Sequence, residues 1–202
     1  MTCTLAPDLG ATRFTLRDGS DILVRTIRPE DKAALTREFQ ALSSETRHQR
    51  FLAGIATLTE SQLKYFTEVD HVDHEAWIAL DPAAPVPTIL GVARYVRLKG
   101  SPHIAEVAIV VVDAYQGRGL GSLLLALVSR SAAQQGIETF RAWTFEFNAR
   151  MVRIFRDLGA VVHGVDGPVL CLDVPVLADP EQLPDSPTGR AFKAIARSGA
   201  SG

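Results

Sequence analysis

The chain of 202 residues has little cysteine and no long uninterrupted hydrophobic run. Its two cysteines, Cys3 and Cys171, lie far apart and provide no framework of disulfides, which favours a reduced intracellular protein over a small secreted one. Residues 1–10 lack a basic segment followed by an apolar one, so no signal peptide is indicated. Charged residues interrupt the apolar stretches well below the length of a membrane span. We therefore expect a soluble protein of the cytoplasm.

Neither sign of charge dominates the composition. The 21 lysines and arginines against 23 aspartates and glutamates give a formal net charge of -2, so no overall basic field attracts nucleic acid or an anionic membrane. Hydrophobic residues make up 47% of the chain, which is enough for one sizeable core. We expect an N-terminal leader at residues 1–12, one domain at residues 13–175 and a flexible tail at residues 176–202, where small residues and proline dominate.

The hydrophobic periodicity predicts a mixed α/β domain. Two short β-like runs joined by Asp18-Gly19, a strong hairpin signal, begin it. Helices follow at residues 29–42, 44–50 and 60–68, the last with a capping box between Thr59 and Gln62. Strands are then predicted at residues 76–80, 89–98, 104–112, 139–144, 161–162 and 169–174, with helices at 119–135 and 148–158. Antiparallel strands followed by βαβα connections indicate a mixed, mostly antiparallel sheet of six to seven strands flanked by helices.

The segment at residues 110–122 is the most informative, because a valine-rich strand turns there into a helix punctuated by glycine. Gly117, Gly119 and Gly121 stand at alternate positions, so the backbone can turn tightly and a ligand can approach it without meeting a Cβ atom. The first amides of the helix have no intrahelical acceptor and, with the helix dipole, favour a pyrophosphate. Arg118 can add a charge-assisted contact to a phosphate.

Other phosphate-binding motifs do not fit this segment. A P-loop requires a lysine followed by serine or threonine after its last glycine, and here Ser122 follows Gly121 with no lysine nearby. A dinucleotide fingerprint requires Gly-x-Gly-x-x-Gly, but its last position is Ser122 when counted from Gly117 and Leu124 when counted from Gly119. The remaining alternative is a glycine-rich turn of a plain βα unit that binds no ligand.

Gln116-Gly117-Arg118-Gly119-Leu120-Gly121 resembles the acetyl-CoA-binding motif Gln/Arg-x-x-Gly-x-Gly/Ala of the GNAT superfamily of N-acetyltransferases. The resemblance covers about residues 14–174 and implies the GNAT fold, with acetyl-CoA held on the backbone amides of this loop. Within the superfamily the chain is most similar to the acetyltransferase domain of bacterial protein lysine acetyltransferases of the Pat type. Weaker local matches carry this second similarity, at residues 27–31, 42–43, 50–51, 69–70, 91–95 and 105–108, at Asn148 and at Met151.

The resemblance implies further positions of the cofactor site. In such enzymes the strand before the loop splays from the next strand, and its free backbone groups pair with the pantetheine arm. Asn148 matches a position that contacts the pantetheine or shapes its slot, and asparagine also caps a helix without any ligand. The predicted cofactor site therefore comprises Ile109, Val110, Val111, Gln116, Gly117, Arg118, Gly119, Leu120, Gly121, Ser122 and Asn148.

Glu106 is the candidate general base. A lysine ammonium has a reference pKa of ~10.4, so a base must remove a proton before the amine can attack a thioester near neutral pH. Strand alternation places Glu106, Ala108 and Val110 on one face, where a partly desolvated carboxylate is a stronger base. Pat-type enzymes carry a catalytic glutamate ten positions before the motif glutamine, which supports this role. The alternatives are a solvated glutamate or an ion pair with Arg94 or Arg97.

Two further features bear on the chemistry. The thioester oxygen needs a hydrogen-bond donor as negative charge develops on it, and the backbone amide of Ile109 or Val110 is the candidate. Many GNAT enzymes place a tyrosine seven residues after the asparagine as a general acid for the thiolate. Phe155 stands at that position here, and Tyr115 is badly placed to substitute, so protonation is left to water or is not needed.

Other residues that bear chemistry are given structural interpretations. Residues 70–75 contain five potential metal ligands, but no cysteine or histidine partner with zinc spacing appears elsewhere, so no metal site is assigned. A solvated loop is the simplest interpretation, and a border of the acceptor entrance is the alternative. The aromatic residues Trp77, Phe140, Trp143 and Phe147 are interpreted as core residues, because they fall on strands or at strand ends.

These observations predict an enzyme that transfers the acetyl group of acetyl-CoA directly to a primary amine, with the Nε of protein lysines as the preferred acceptor. Two alternatives stay open: an acetyltransferase of small-molecule amines, and a non-catalytic module that senses acyl-CoA. Phe155 is consistent with the sensor, and Glu106 argues against it. Pat-type relatives often carry a regulatory domain, and because the hairpin begins by about Phe14 we do not expect such a domain ahead of it.

Overall fold

The central element of the fold is one mixed sheet. The computed structural model describes residues 10–51, 57–177, 182, 184–186, 188–190 and 192–193. The strands are β1 (Thr12–Thr15), β2 (Asp21–Thr26), β3 (His74–Leu80), β4 (Ile89–Leu98), β5 (Ser101–Val111), β6 (Thr139–Phe145), β7 (Val161–Asp166) and β8 (Val169–Pro175). They lie in the order β1-β2-β3-β4-β5-β6-β8-β7. Neighbours are antiparallel except β5 and β6, which are parallel.

Helices cover the sheet on both faces. They are α1 (Lys32–Ala41), α2 (Ser44–Phe51), α3 (Glu60–Thr67), α4 (Leu120–Gln134) and α5 (Ala149–Asp157). On one face, Leu35 of α1 and Leu63 of α3 share a core with Ile78 and Val92 of the sheet. On the other face, the leucines of α4 share a core with side chains of β4, β5 and β6 and with Phe155 of α5. α2 contacts β5 and β6.

The predicted fold class is confirmed, and the predicted strand count was too low. The sheet contains eight described strands instead of six to seven, because the hairpins at both ends of the domain join the same sheet. β5 begins at Ser101, three residues earlier than predicted, since Gly100 with φ 77° closes a tight turn directly after β4. β7 extends to Asp166, where two valines alone were predicted. Both extensions pair with the adjacent strand of a hairpin, since Ser101 lies opposite Leu98 of β4 and β7 pairs with β8.

The position at which β5 and β6 part decides where a ligand can bind. Their pairing runs from Ile104 opposite Thr139 to Val107 opposite Ala142 and then stops. β5 nevertheless continues to Val111, and β6 continues to Phe145. α4 follows β5 and α5 follows β6, so both helices begin at the open end of the gap. The topology therefore brings two helix N-termini to one opening in the sheet.

The segments outside the predicted domain are described only in part. The predicted leader lies almost wholly outside the described residues. In the predicted tail, the Ser186 hydroxyl donates to the Asp157 carbonyl at 2.8 Å, and the Thr188 hydroxyl donates to the Asp157 carboxylate at 3.1 Å. These described residues of the tail segment thus lie against the end of α5, while the domain boundaries stay a prediction. No helix within the described ranges is long and apolar enough to cross a bilayer.

Candidate functional site

A cleft of about 780 Å³ fills the gap between β5 and β6. Its walls come from β5, β6, α2, α5 and the glycine loop, which we define as residues 116–122. Ten of the twelve residues predicted for the site line this cleft, and Arg118 and Leu120 do not. The lining consists of Arg17, Thr46, Gln49, residues 106–111, Gln116, Gly117, Gly119, Gly121, Ser122, Trp143, Thr144, residues 148–151, residues 153–155, Asp157 and Thr188.

The glycine loop presents unpaired backbone donors to this opening. Gly117 has φ 79° and Gly119 has φ 97°, a region that side chains with a Cβ atom rarely occupy. Gly119 caps the N-terminus of α4. Within the described residues, no backbone amide of residues 117–122 has a hydrogen-bond acceptor. A run of free N–H groups at the positive end of a helix dipole suits a diphosphate.

Gln116 holds the loop in place through its side chain. Its Nε2 donates to the carbonyl of Val111 at 3.1 Å, and its Oε1 accepts from Nη1 of Arg150 at 3.1 Å. Asp113, in the turn before the loop, accepts from the Thr46 hydroxyl at 2.6 Å and from the Ser43 amide at 3.1 Å. The Thr46 hydrogen bond, and the Ser43 bonds after it, lower the pKa of Asp113 below its ordinary value. α2 and α5 are thereby tied to the loop.

Two residues of the motif have side chains directed elsewhere. Arg118 donates to the carboxylate of Asp18 at 2.7 Å and stacks over the ring of Tyr115, with 4.7 Å between guanidinium carbon and ring centroid. Its phosphate contact therefore stays a prediction. The Leu120 side chain is fully buried in the core, so only its backbone amide can serve a ligand. Tyr115 lies beneath Arg118 and is not among the residues that line the cleft.

The cleft also contains three arginines that sequence reasoning missed. A Cβ atom at Gly119 would lie 3.5 Å from Nε of Arg17, which places this guanidinium at the glycine loop. Arg150 reaches Gln116 from the first turn of α5, and Arg153 lines the cleft one turn later. Arg150 stands two residues after Asn148, a spacing that could have drawn attention to it. Arg17 belongs to the N-terminal hairpin, and no local pattern links it to the loop.

The open edge of β5 supplies backbone groups. In the antiparallel pair with β4, Val112 donates its amide to the Leu90 carbonyl at 3.0 Å. Hydrogen-bonding direction alternates along such a strand, so Val110 also faces β4, whereas Ile109 and Val111 direct their N–H and C=O groups toward the gap. The Gln116 contact to the Val111 carbonyl agrees with this direction. Of the two candidate oxyanion donors, the Ile109 amide is the one that faces the cleft.

Asn148 is the N-cap of α5, as predicted. Its side-chain oxygen accepts from the Met151 amide at 3.3 Å, and its Nδ2 donates to Oε1 of Gln49 at 3.2 Å. The second bond attaches the start of α5 to α2 across the cleft. Asn148 therefore joins α5 to α2 at the wall of the cleft, while its roles in shaping the pantetheine slot and in contacting a ligand stay predictions.

Glu106 lies at the opposite end of the cleft from the glycine loop, and its side chain is exposed. The partial burial expected from the sequence is not found, although Glu106 is still paired with Arg141 in the β5–β6 ladder. Neither alternative ion pair forms: Arg97 donates to Asp73 at 2.7 Å, and Arg94 lies against His74. Among the described residues Glu106 has no hydrogen-bond or ion-pair partner, so its carboxylate is free to receive a cation.

The prediction that all four aromatic residues are core is wrong for two of them. Phe140 is 1% exposed, and Trp77 packs against the core while donating to the Ser131 hydroxyl at 3.0 Å. Trp143 is 44% exposed and lines the cleft, and Phe147 is 60% exposed. Trp143 lies beyond the point where β5 leaves β6. Strand periodicity predicts which face a residue occupies, but not whether another element covers that face.

The carboxylates of residues 70–75 stabilise their own turn. Asp70 accepts the amides of Val72, Asp73 and His74, each at 2.9 Å. Glu75 accepts from Nδ1 of His71 at 2.9 Å and from the Ala76 amide at 2.8 Å. In the part of the chain that the structure describes, no group of three or more His, Cys, Asp or Glu residues is arranged to hold a metal. These contacts favour the structural interpretation of the loop.

His74 is a buried histidine whose protonation is expected to destabilise the fold in acid. Burial, and next the positive charge of Arg94, lower the pKa of His74 from 6.5 to about 4. Between pH 4 and pH 6.5, His74 is protonated in the unfolded chain but not in the folded chain. Its contribution to the free energy of unfolding is therefore fully present above pH 6.5 and decreases as the pH falls toward 4. At pH 5 the free energy of unfolding should be lower by about 2 kcal/mol from this residue alone.

Urea unfolding at pH 7 and pH 5 measures this effect. His74→Gln keeps an acceptor for Arg94 but cannot titrate, so it should lose less stability than the wild type between the two pH values. His103→Gln, at a histidine whose side chain is 64% exposed, should keep the wild-type difference. Equal losses in His74→Gln and the wild type would contradict the prediction.

Comparisons with known proteins agree with the geometry. The family model described as the acetyltransferase (GNAT) family matches residues 38–160. The acetyltransferase Pat of Mycolicibacterium smegmatis is 34% identical over 161 residues, which cover 80% of this chain and 47% of that protein. The chain thus spans about half the length of this curated relative.

Solved structures show the same likeness. The GNAT domain of S. lividans PAT is 28% identical with a TM-score of 0.73, and the match covers 84% of this chain and 99% of that one. A cAMP-binding acyltransferase from Mycobacterium smegmatis is also 28% identical, with a TM-score of 0.59 over 95% of this chain and 56% of that one.

Proposed function

Because the chain belongs to the GNAT family of acetyltransferases, we propose that it transfers the acetyl group of acetyl-CoA to a primary amine, with the Nε of protein lysines as acceptor. One arrangement carries the proposal. A single cleft joins the free amides of the glycine loop, the open edge of β5 and the unpaired carboxylate of Glu106. The first two suit a long phosphorylated thioester, and the third suits a cationic amine.

The residues present fit acetyl-CoA. The amides of residues 117–122 would hold its diphosphate, with Arg17 and Arg150 as the nearby positive charges. Ile109 and Val111 would pair with the amide groups of its arm, as a further strand pairs with a sheet edge. Met151, Ile154 and Phe155 supply apolar wall on the α5 side. When bound, acetyl-CoA supplies an acyl group activated as a thioester.

The proposed chemistry uses few side chains. Glu106 would accept the proton of the incoming ammonium, so that the neutral amine can attack. The Ile109 N–H would donate to the carbonyl oxygen as negative charge develops on it. Phe155 is 3% exposed and offers no proton, so the departing thiolate would be protonated by water. The proposal involves no metal.

A protein acceptor is favoured by the open end of the cleft. Glu106 and Trp143 are both exposed there, whereas a polyamine or an aminoglycoside would call for a closed, acidic pocket. The named relative Pat supports the same choice. An acetyltransferase of small amines and a non-catalytic acyl-CoA sensor are the competing functions. A cytoplasmic location, and the absence of nucleic-acid and membrane partners, belong to the proposal.

Thiol release tests the proposal. The purified protein is incubated with radiolabelled acetyl-CoA and a lysine-rich protein, and then with a panel of small amines, with Glu106→Gln as the blank. Label in the protein together with stoichiometric free thiol is the expected result. Release with small amines alone would favour the small-molecule enzyme, and bound cofactor without release would favour the sensor. Failure to bind coenzyme A at millimolar concentration would overturn the assignment.

A further inference from the structure

Trp143 is an unusual residue to line a cleft, because much of its large apolar side chain is exposed to solvent. Its exposure is 44%, although it lies in the middle of β6. Its strand partner on β8 is Cys171, and β5 has already left β6 at this level. The indole is therefore accessible from inside the cleft, and no role in the core explains it.

The register of the sheet places Trp143 beside Glu106. Glu106 is paired with Arg141 across the β5–β6 ladder, and paired residues project to the same face. Side chains alternate along β6, so Trp143, two residues after Arg141, projects to the same face and lies nearer the gap. Both residues line the cleft. A carboxylate and an indole thus lie on one side of the sheet at the same end of the cleft.

Several charged groups around the cleft are paired or lie away from Glu106 and Trp143. The nearest cation on β6, Arg141, forms a bidentate pair with Asp173 at 3.0 and 3.1 Å. Arg17 and Arg150 lie at the glycine loop, at the other end of the cleft. One end is therefore positive and suited to phosphates, and the other presents a free carboxylate and an aromatic face. A tryptophan face is the best aromatic partner for an ammonium group.

We propose that Trp143 is the specificity-determining residue for the acceptor: its indole receives the protonated end of a primary amine carried on an unbranched aliphatic chain and guides it to Glu106. The inference rests on the proposed function and names its acceptor class. The aliphatic stem would lie along the exposed indole, and the ammonium would lie between ring and carboxylate. Weakly basic or aromatic amines lack either the charge or the stem and are expected to be poor acceptors.

Steady-state kinetics with a peptide that contains one internal lysine tests this role. Trp143→Ala should raise the KM for the peptide by about 5- to 30-fold, with kcat and the Kd of acetyl-CoA within twofold of wild type. Trp143→Phe should recover most of the affinity, whereas Trp143→Leu, which is apolar without an aromatic face, should not. Phe147→Ala is the matched control, because Phe147 is an exposed aromatic residue of the same segment that does not line the cleft.

The outcomes separate this inference from the proposed function. An unchanged KM in Trp143→Ala, or full rescue by leucine, would overturn the role of the indole while leaving the acetyltransfer intact. A wild-type protein that does not bind acetyl-CoA would overturn the function instead.

Binding can also be followed without turnover. The chain has two tryptophans, so Trp77→Phe leaves Trp143 as the sole reporter. With coenzyme A present, the lysine peptide should change its fluorescence saturably, and a peptide with norleucine in place of lysine should not. The same response to both peptides would refute recognition of the amine.

Discussion

Replacing Gly121 with glutamate is expected to weaken the binding of acetyl-CoA at least 100-fold, a loss of about 2.7 kcal/mol. The substitution adds a carboxylate to the first turn of α4, among the amides proposed to hold the diphosphate. Like charges in contact at a binding site cost several kcal/mol. Isothermal titration with acetyl-CoA and with coenzyme A measures the effect. Both ligands should lose affinity equally, since they share the diphosphate.

Gly121 allows a matched control that the other loop glycines do not. A Cβ atom there would lie 3.7 Å from Cδ1 of Ile109 and 3.8 Å from Cγ2 of Val111, which is ordinary contact. Gly121→Ala should therefore fold and bind acetyl-CoA nearly as the wild type does. Gly119→Glu adds backbone strain to the charge, because Gly119 has a positive φ. If Gly121→Glu binds as tightly as Gly121→Ala, the loop does not hold the diphosphate.

Replacing Glu106 with glutamine is expected to lower kcat by about 10²- to 10⁴-fold, the usual contribution of a positioned general base. The amide keeps the size of the side chain but cannot accept the proton of the ammonium. The Kd of acetyl-CoA should be unchanged, because Glu106 lies at the far end of the cleft from the glycine loop. Initial rates of thiol release with a saturating acceptor, together with titration of acetyl-CoA, separate the two quantities.

Glu138→Gln serves as the control for this experiment. Glu138 directly precedes β6, its side chain is 75% exposed, and it does not line the cleft. The variant should retain wild-type rates and wild-type affinity. Rates in Glu106→Gln that match the wild type across neutral pH would remove Glu106 from the mechanism. An equal loss in both variants would indicate a general effect of lost negative charge.

Features determined by short stretches of chain could be predicted. The capping box at Thr59 and Gln62 and the N-cap at Asn148 are both present in the structure. Gly117 and Gly119 have the backbone conformations that the loop pattern indicates. Each of these depends on contacts within about four residues, which propensities and hydrogen-bonding rules describe.

Features that depend on remote elements could not be predicted in this way. Arg118 pairs with Asp18, one hundred positions away, instead of lining the cleft. Arg17 reaches the glycine loop from the same hairpin. Trp143 was expected in the core because its strand pattern gives a face but not the cover over that face. Glu106 was expected to be partly buried, and its side chain is exposed because no other element covers its face of the sheet there.

The sequence by itself determined the order of elements, the glycine loop at a strand-to-helix junction and the strand on which Glu106 lies. These are properties of local backbone preference and periodicity, so they can be inferred without knowing which strands are neighbours. Only the tertiary structure decided that β5 and β6 part after four paired residues, and that three arginines and the indole of Trp143 line the resulting cleft. Sheet order and the termination of a ladder depend on contacts between distant segments, and no local pattern in the chain encodes them.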